Sequence, residues 1–349
     1  MCEKLGILRI VVCYLICGTV FAAAFFESLN KNTVKPLKVQ GTAYFASDSL
    51  FEESAVSLTN KEEKPKETAK KEEISANSSV QASASAVKGK IIEKYISPYT
   101  APTSYNNVYM KNSTPLDINI KNLLNSQLNF KIQKNEQPQV LIIHTHTTET
   151  FMSEEADVYT DSFNSRTTDN NKNMVKIGSI VAEKLNAAGI KTIHDTTKHD
   201  YPEYSGSYGR SAKTVNSYLN KYKSIKIVLD LHRDAVSSGE SDKVKLVTEI
   251  NGKKAAQVML VMGSQSGSIK DHPNWQENLK LALKLQQTME IKYPTLARPL
   301  SLMSKKYNQS LSQGALLIEF GTDVNTLDEA CYSAELVADS LISLLNTLQ

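Results

Sequence analysis

Cysteine is scarce in this chain of 349 residues and tryptophan scarcer still, at four and one. Four cysteines over that length exclude a disulfide-built scaffold. Three of them, Cys2, Cys13 and Cys17, sit at the extreme N-terminus, so only Cys331 belongs to the remainder. No internal disulfide is open to that part, and a thiolate-rich structural zinc site is excluded with it. Charge of one sign is also lacking. Lys and Arg number 40 against 37 Asp and Glu, a net +3 with no dominant basic stripe, so composition gives no case for a nucleic-acid partner.

Long hydrophobic runs are few as well, with one exception. Residues 10–26 carry no charge and are almost wholly apolar. As a helix they rise roughly 25 Å, and Ile7 and Leu8 extend the stretch past Arg9, which can snorkel. That length crosses a bilayer. Lys4 and Arg9 before the run and Glu27 after it place the N-terminus in the cytoplasm and the rest outside. A cleaved signal peptide competes, because Ala22-Ala23-Ala24 offers small residues to a peptidase. Phe25 and Phe26 prolong the run beyond that point and favour an uncleaved transmembrane anchor over residues 1–27.

Residues 28–105 read as a disordered extracytoplasmic linker. Within them 61–73 hold five Lys and five Glu with nothing apolar larger than Ala, and 78–86 are rich in Ser and Ala. Such segments bury too little surface to offset their ordering entropy. A flexible tether lets an anchored domain work away from the membrane.

Residues 106–349 alternate strand and helix signals and predict a single α/β domain, a mostly parallel central sheet flanked by helices. Strands are expected at 140–143, 190–193, 225–231 and 315–318. Helices are expected at 174–188, 211–222 and 275–293, with a long one after Thr326, where Glu329 completes a capping box. Asn251-Gly252 between 243–250 and 253–261 marks a hairpin.

Open α/β sheets place their sites at the carboxyl ends of strands. Three expected strands end in residues suited to metal chemistry: His144-Thr145-His146-Thr147-Thr148-Glu149, Asp230-Leu231-His232-Arg233-Asp234, and Glu319-Phe320-Gly321. His146, Glu149 and His232 would supply two imidazoles and a carboxylate and leave a fourth position open, the pattern of a catalytic zinc. Glu319 would then carry the proton from water to leaving group, and Asp230 is a candidate partner for His232. His144 points the same way as His146 in an extended chain, so it is an alternative first ligand. Tyr208, Arg210, His199 and Arg233 are candidate substrate contacts. Each residue alone has a bland alternative as a hydrogen-bonded strand end; the coincidence of three such ends carries the metal reading.

These motifs, with His194-Asp195, His199-Asp200, Tyr208-Gly209-Arg210-Ser211, His272-Pro273-Asn274-Trp275, Tyr307-Asn308-Gln309 and Asn325-Thr326, resemble the stage II sporulation protein P family through most of residues 106–347. The resemblance implies a fold and zinc chemistry like those of N-acetylmuramoyl-L-alanine amidases. It implies cleavage of peptidoglycan during forespore engulfment, as amidase and as endopeptidase on the peptide cross-links. It also implies the stage II sporulation proteins D and M as partners, and a place in the mother-cell membrane facing the space toward the forespore. Zinc would be held by His146, Glu149 and His232, with Glu319 catalytic. A zinc peptidase confined to the stem peptides and a non-catalytic wall-binding scaffold are the alternatives.

Overall fold

The computed structural model of the protein describes residues 86–349. The apolar segment at 10–26 and most of the expected linker lie outside the described residues. Among those described, no helix is long and apolar enough to cross a membrane. In chain order the strands are β1 (Val87–Lys94), β2 (Thr103–Tyr105), β3 (Val108–Asn112), β4 (Val140–Ile143), β5 (Val158–Thr160), β6 (Thr192–His194) and β7 (Ile227–Asp234). Then come β8 (Ser237–Ser238), β9 (Asp242–Ile250), β10 (Lys253–Ala256), β11 (Val258–Gly263), β12 (Leu300–Met303) and β13 (Ala315–Thr322). The helices are α1 (Ile120–Asn125), α2 (Met174–Ala187), α3 (Ser207–Lys221), α4 (Trp275–Lys292) and α5 (Leu327–Asn346).

Eight strands form the central sheet in the order β2-β3-β12-β11-β13-β7-β4-β6. β13, β7, β4 and β6 are parallel to one another. β11, β12 and β3 are also mutually parallel, but β11 meets β13 antiparallel, so this trio runs the other way. A second sheet, β10-β9-β1-β5 with β8 on β9, holds one parallel and three antiparallel pairings. The expected mostly parallel sheet is therefore corrected to a mixed α/β architecture.

The cause is local. The hairpin at Asn251-Gly252, with φ 53° and 74°, reverses the chain, and no helix follows to carry it back, so β11 enters running against β13. The single strand expected at 253–261 breaks at buried Gln257. Its side chain accepts from Ile96 N at 2.8 Å and donates to the Ile96 and Thr295 carbonyls at 3.0 Å each.

The linker is expected to run to residue 105, but the last part of that stretch carries the strands β1 and β2. β1 pairs with β9 on one side and β5 on the other, and β2 forms a hairpin with β3. β1 is mostly exposed, so two backbone ladders order it and no apolar period announces it.

Between the faces, β4 shows why its sequence is continuously apolar. Val140 and Ile142 join the large core under α2 and α5, while Leu141 and Ile143 join a smaller cluster with Val215 of α3. A strand covered on both faces has no side to leave polar. The helix ends follow the expected chemistry. Asn173 caps α2 by accepting from Val175 N, and both bonds of the Thr326–Glu329 capping box are present at α5. α3 begins four residues earlier than expected, after Gly206 at φ 77°.

Candidate active site

The parallel quartet puts four carboxyl ends side by side, which brings the expected strand ends together. Along β7, Leu229 and Leu231 enter the large core, so Asp230, His232 and Asp234 face the α3 side. Glu319 pairs in register with His232 and takes the same side. β4 stops at Ile143, and its continuation turns at Thr145, whose N and Oγ1 both donate to Asp230, at 2.8 and 2.6 Å. That turn sends His144 and His146 in different directions.

His144 goes to the α2 side. Its Nδ1 donates to Leu231 O at 3.0 Å, and its Nε2 lies 2.9 Å from His194 Nε2. Burial lowers its pKa to about 3, aided by the neighbouring His194, so the ring is neutral, Nε2 is the acceptor and His194 is the donor. His146 instead joins the cluster on the other side. Its ring lies edge-on to His232 at 5.3 Å and to Tyr208 at 5.6 Å, and stacks on Tyr204 at 4.7 Å. Tyr204 OH is 3.2 Å from its Nε2. Burial, then His232 and Arg166, depress its pKa to about 2.

His232 is the electrostatic centre. Its Nε2 lies 2.9 Å from Asp230 Oδ1 and its Nδ1 3.7 Å from Glu149 Oε2. The first is an ion-pair distance without hydrogen-bond alignment, since Nε2 has no hydrogen-bond partner. Burial pushes the His232 pKa down, but Asp230, Glu149 and Glu319 outweigh it and hold the pKa at about 10. Glu319 is half-buried, and its Oε2 lacks a partner. Desolvation first, then Asp234, raises its pKa to about 8.

Other candidates serve the frame. Arg233 donates to the carbonyls of Thr150, Asp234 and Ser165. Arg210 donates to those of His199 and Glu203, at 2.5 Å each, pinning the loop that carries Tyr204. His199 is buried, donating from Nδ1 to His144 O and bonding Thr214 Oγ1 through Nε2. Of the four substrate candidates only Tyr208 touches His146. Sequence reasoning missed Arg166, which donates to Asp200 Oδ2 at 2.6 Å, lies 3.7 Å from Glu149 Oε1, and covers the Tyr204 ring at 4.6 Å. It sits in an aperiodic loop that a backbone bridge holds to Glu149, and no local sequence signal reveals it.

Does the cluster suit a metal? Among the described residues no three His, Cys, Asp or Glu side chains converge as tightly as a bound ion requires. The donor chemistry nonetheless fits a divalent cation. Two imidazoles and a carboxylate adjoin, no thiolate intrudes, and His232 Nε2 and Glu319 Oε2 are buried without hydrogen bonds. A proton on His232 held by three carboxylates is one that a metal ion can replace.

Fold and site thus define a mixed α/β protein with a histidine–carboxylate cluster at the carboxyl ends of a parallel strand quartet. Its family follows from sequence: the chain belongs to the stage II sporulation protein P (SpoIIP) family, whose model matches residues 27–342. It is similar to stage II sporulation protein P of Bacillus subtilis (strain 168), 31% identical over 218 residues, which cover 57% of this chain and 49% of that relative. The match thus spans about half of the relative's length. Among solved structures, N-acetylmuramyl-L-alanine amidase Ami1 from Mycobacterium smegmatis aligns at 11% identity and TM-score 0.36, covering 61% of this chain and 99% of that one. The amidase AmiC2 of Nostoc punctiforme aligns at 11% identity and TM-score 0.34, covering 62% and 97%.

Proposed function

We propose that the protein is a zinc-dependent peptidoglycan hydrolase acting in forespore engulfment. Its main reaction is N-acetylmuramoyl-L-alanine amidase cleavage, with endopeptidase action on the cross-links beside it. One observation carries this reading: His146, Glu149, His232 and Glu319, from three separate chain segments, meet on one side of the sheet. His146, Glu149 and His232 would hold the ion. Bound zinc supplies a Lewis acid and a water of lowered pKa.

The chain's own groups do the rest. Glu319, whose carboxyl is pushed above the usual carboxylate range by burial and then by Asp234, would take up and return the proton in the step from water to leaving amine. Tyr208, half-buried and edge-on to His146, shields that side from bulk water. Arg166 fixes Glu149 and, through Asp200, the loop bearing Tyr204. Tyr204 OH, 3.2 Å from His146 Nε2, would have to give way if that nitrogen held the ion. Residues 1–27 would anchor the chain, and the stage II sporulation proteins D and M would be its partners.

Metal analysis of the full-length chain tests the ligand set. One zinc per chain is expected, falling by more than tenfold in occupancy in His146→Ala, Glu149→Ala and His232→Ala and unchanged in His144→Ala. Loss in His144→Ala alone would reassign the first ligand.

A further inference from the structure

Arg298 is 1% exposed, a poor place for a guanidinium unless its N–H groups find acceptors. Nη1 does, bonding Asp234 Oδ2 at 3.0 Å. Nε and Nη2 do not. Those two atoms form the side-on edge of the guanidinium, the edge that takes a carboxylate with two parallel bonds. An acceptor also lies buried without a partner, Oε2 of Glu319.

The sheet register brings the two groups to one side. Ala297 bridges Val258, which sets Arg298 level with Met259. Met259 pairs with Glu319, and Glu319 with His232. Directly paired residues project from the same face. Only β11 separates Arg298 from β13, and at strand spacings of about 4.8 Å the two backbones are roughly 10 Å apart. The Arg298 side chain already crosses that gap, since it reaches Asp234 on β7 beyond. Asp234 alone would repel the Glu319 carboxylate; the guanidinium between them offsets that repulsion.

We propose that Arg298 is a positioning residue for Glu319, its Nε/Nη2 edge holding the carboxylate through one bridging water. The second oxygen is then aimed at the His146–His232 cluster. The proposal deepens the hydrolase reading of this site and rests on it for its functional consequence. Lysine cannot substitute, because a point charge lacks the fork.

Two measurements on the full-length chain test it. The first is a melting cycle of Arg298→Lys, Glu319→Gln and the double variant. Coupled groups give non-additive shifts, expected here as a departure of about 2 °C or more from the sum; additive shifts overturn the pairing. The second is turnover of soluble wall fragments. Arg298→Lys should lose at least tenfold in kcat with KM and zinc content within about twofold of the unsubstituted chain, and an unchanged kcat overturns the positioning role. An unsubstituted chain that cleaves nothing sinks the hydrolase reading instead, and the melting cycle still decides the pairing. Should Arg298→Lys not fold, Arg298→Gln replaces it in both arms.

Discussion

Replacing Gly178 by alanine sets two effects of known size against each other. In an exposed helix interior the change stabilises by about 1 kcal/mol. Gly178, however, is buried in α2 beneath the histidine pair, and a Cβ there would lie 2.4 Å from His194 Nε2 and 2.6 Å from His144 Nε2. His144 cannot yield easily, being tied to Leu231 O. Forcing the ring aside as overpacking costs about 1–3 kcal/mol. If His194 swings outward instead, buried His144 Nε2 loses its partner, which costs about 1–3 kcal/mol. The steric term wins on either route, leaving a net loss of about 1 kcal/mol once the helix gain of about 1 kcal/mol is set against it. For a domain of this size that lowers the melting midpoint by roughly 2–4 °C. Urea denaturation should show the midpoint shift with unchanged m. Gly209→Ala is the control, since nothing lies within 4 Å of a Cβ there, and it should hold or raise the midpoint. A Gly178→Ala chain as stable as the parent would refute the packed histidine pair.

Two smaller perturbations follow from the same physics. Thr326→Ala removes the side chain that accepts from Glu329 N, and it should cost about 1 kcal/mol in chemical denaturation; no loss would show that α5 stands without its cap. His272 is fully buried with neither ring nitrogen bonded, and burial, then Lys306, lowers its pKa to about 4. Because the unfolded ring titrates near 6.5, the unfolded state binds more protons between those values. Stability contributed by this group is therefore intact above about pH 6.5 and falls by up to about 1.4 kcal/mol per pH unit down to pH 4. His272→Gln should flatten that part of the pH–stability curve, and an identical slope would contradict a neutral buried His272.

Much of this was legible in sequence because apolar strands announce themselves and their polar ends stand out. The runs before His144, Asp230 and Glu319 each mark a buried strand, and β4, β7 and β13 prove to be adjacent. What stayed hidden depends on contacts between distant segments. Nothing in the spacing of His144 and His146 shows that Asp230 captures Thr145 and turns the chain between them. β1 has no apolar face to signal it, being ordered by ladders on both sides. Arg166 and Arg298 lie outside regular elements, and their importance comes from what faces them. The reversal of β11 follows from a hairpin that was visible, but its pairing with β13 was not.

The central claim, a hydrolytic site built on His146, Glu149, His232 and Glu319, is tested most directly by the products of purified peptidoglycan incubated with the full-length chain. The account predicts glycan strands freed of their stems, new amino-terminal L-alanine, and loss of both with Glu319→Gln or a strong chelator while wall binding persists. Shortened stems without freed glycan would leave only a stem peptidase, and full cleavage by Glu319→Gln would contradict the account.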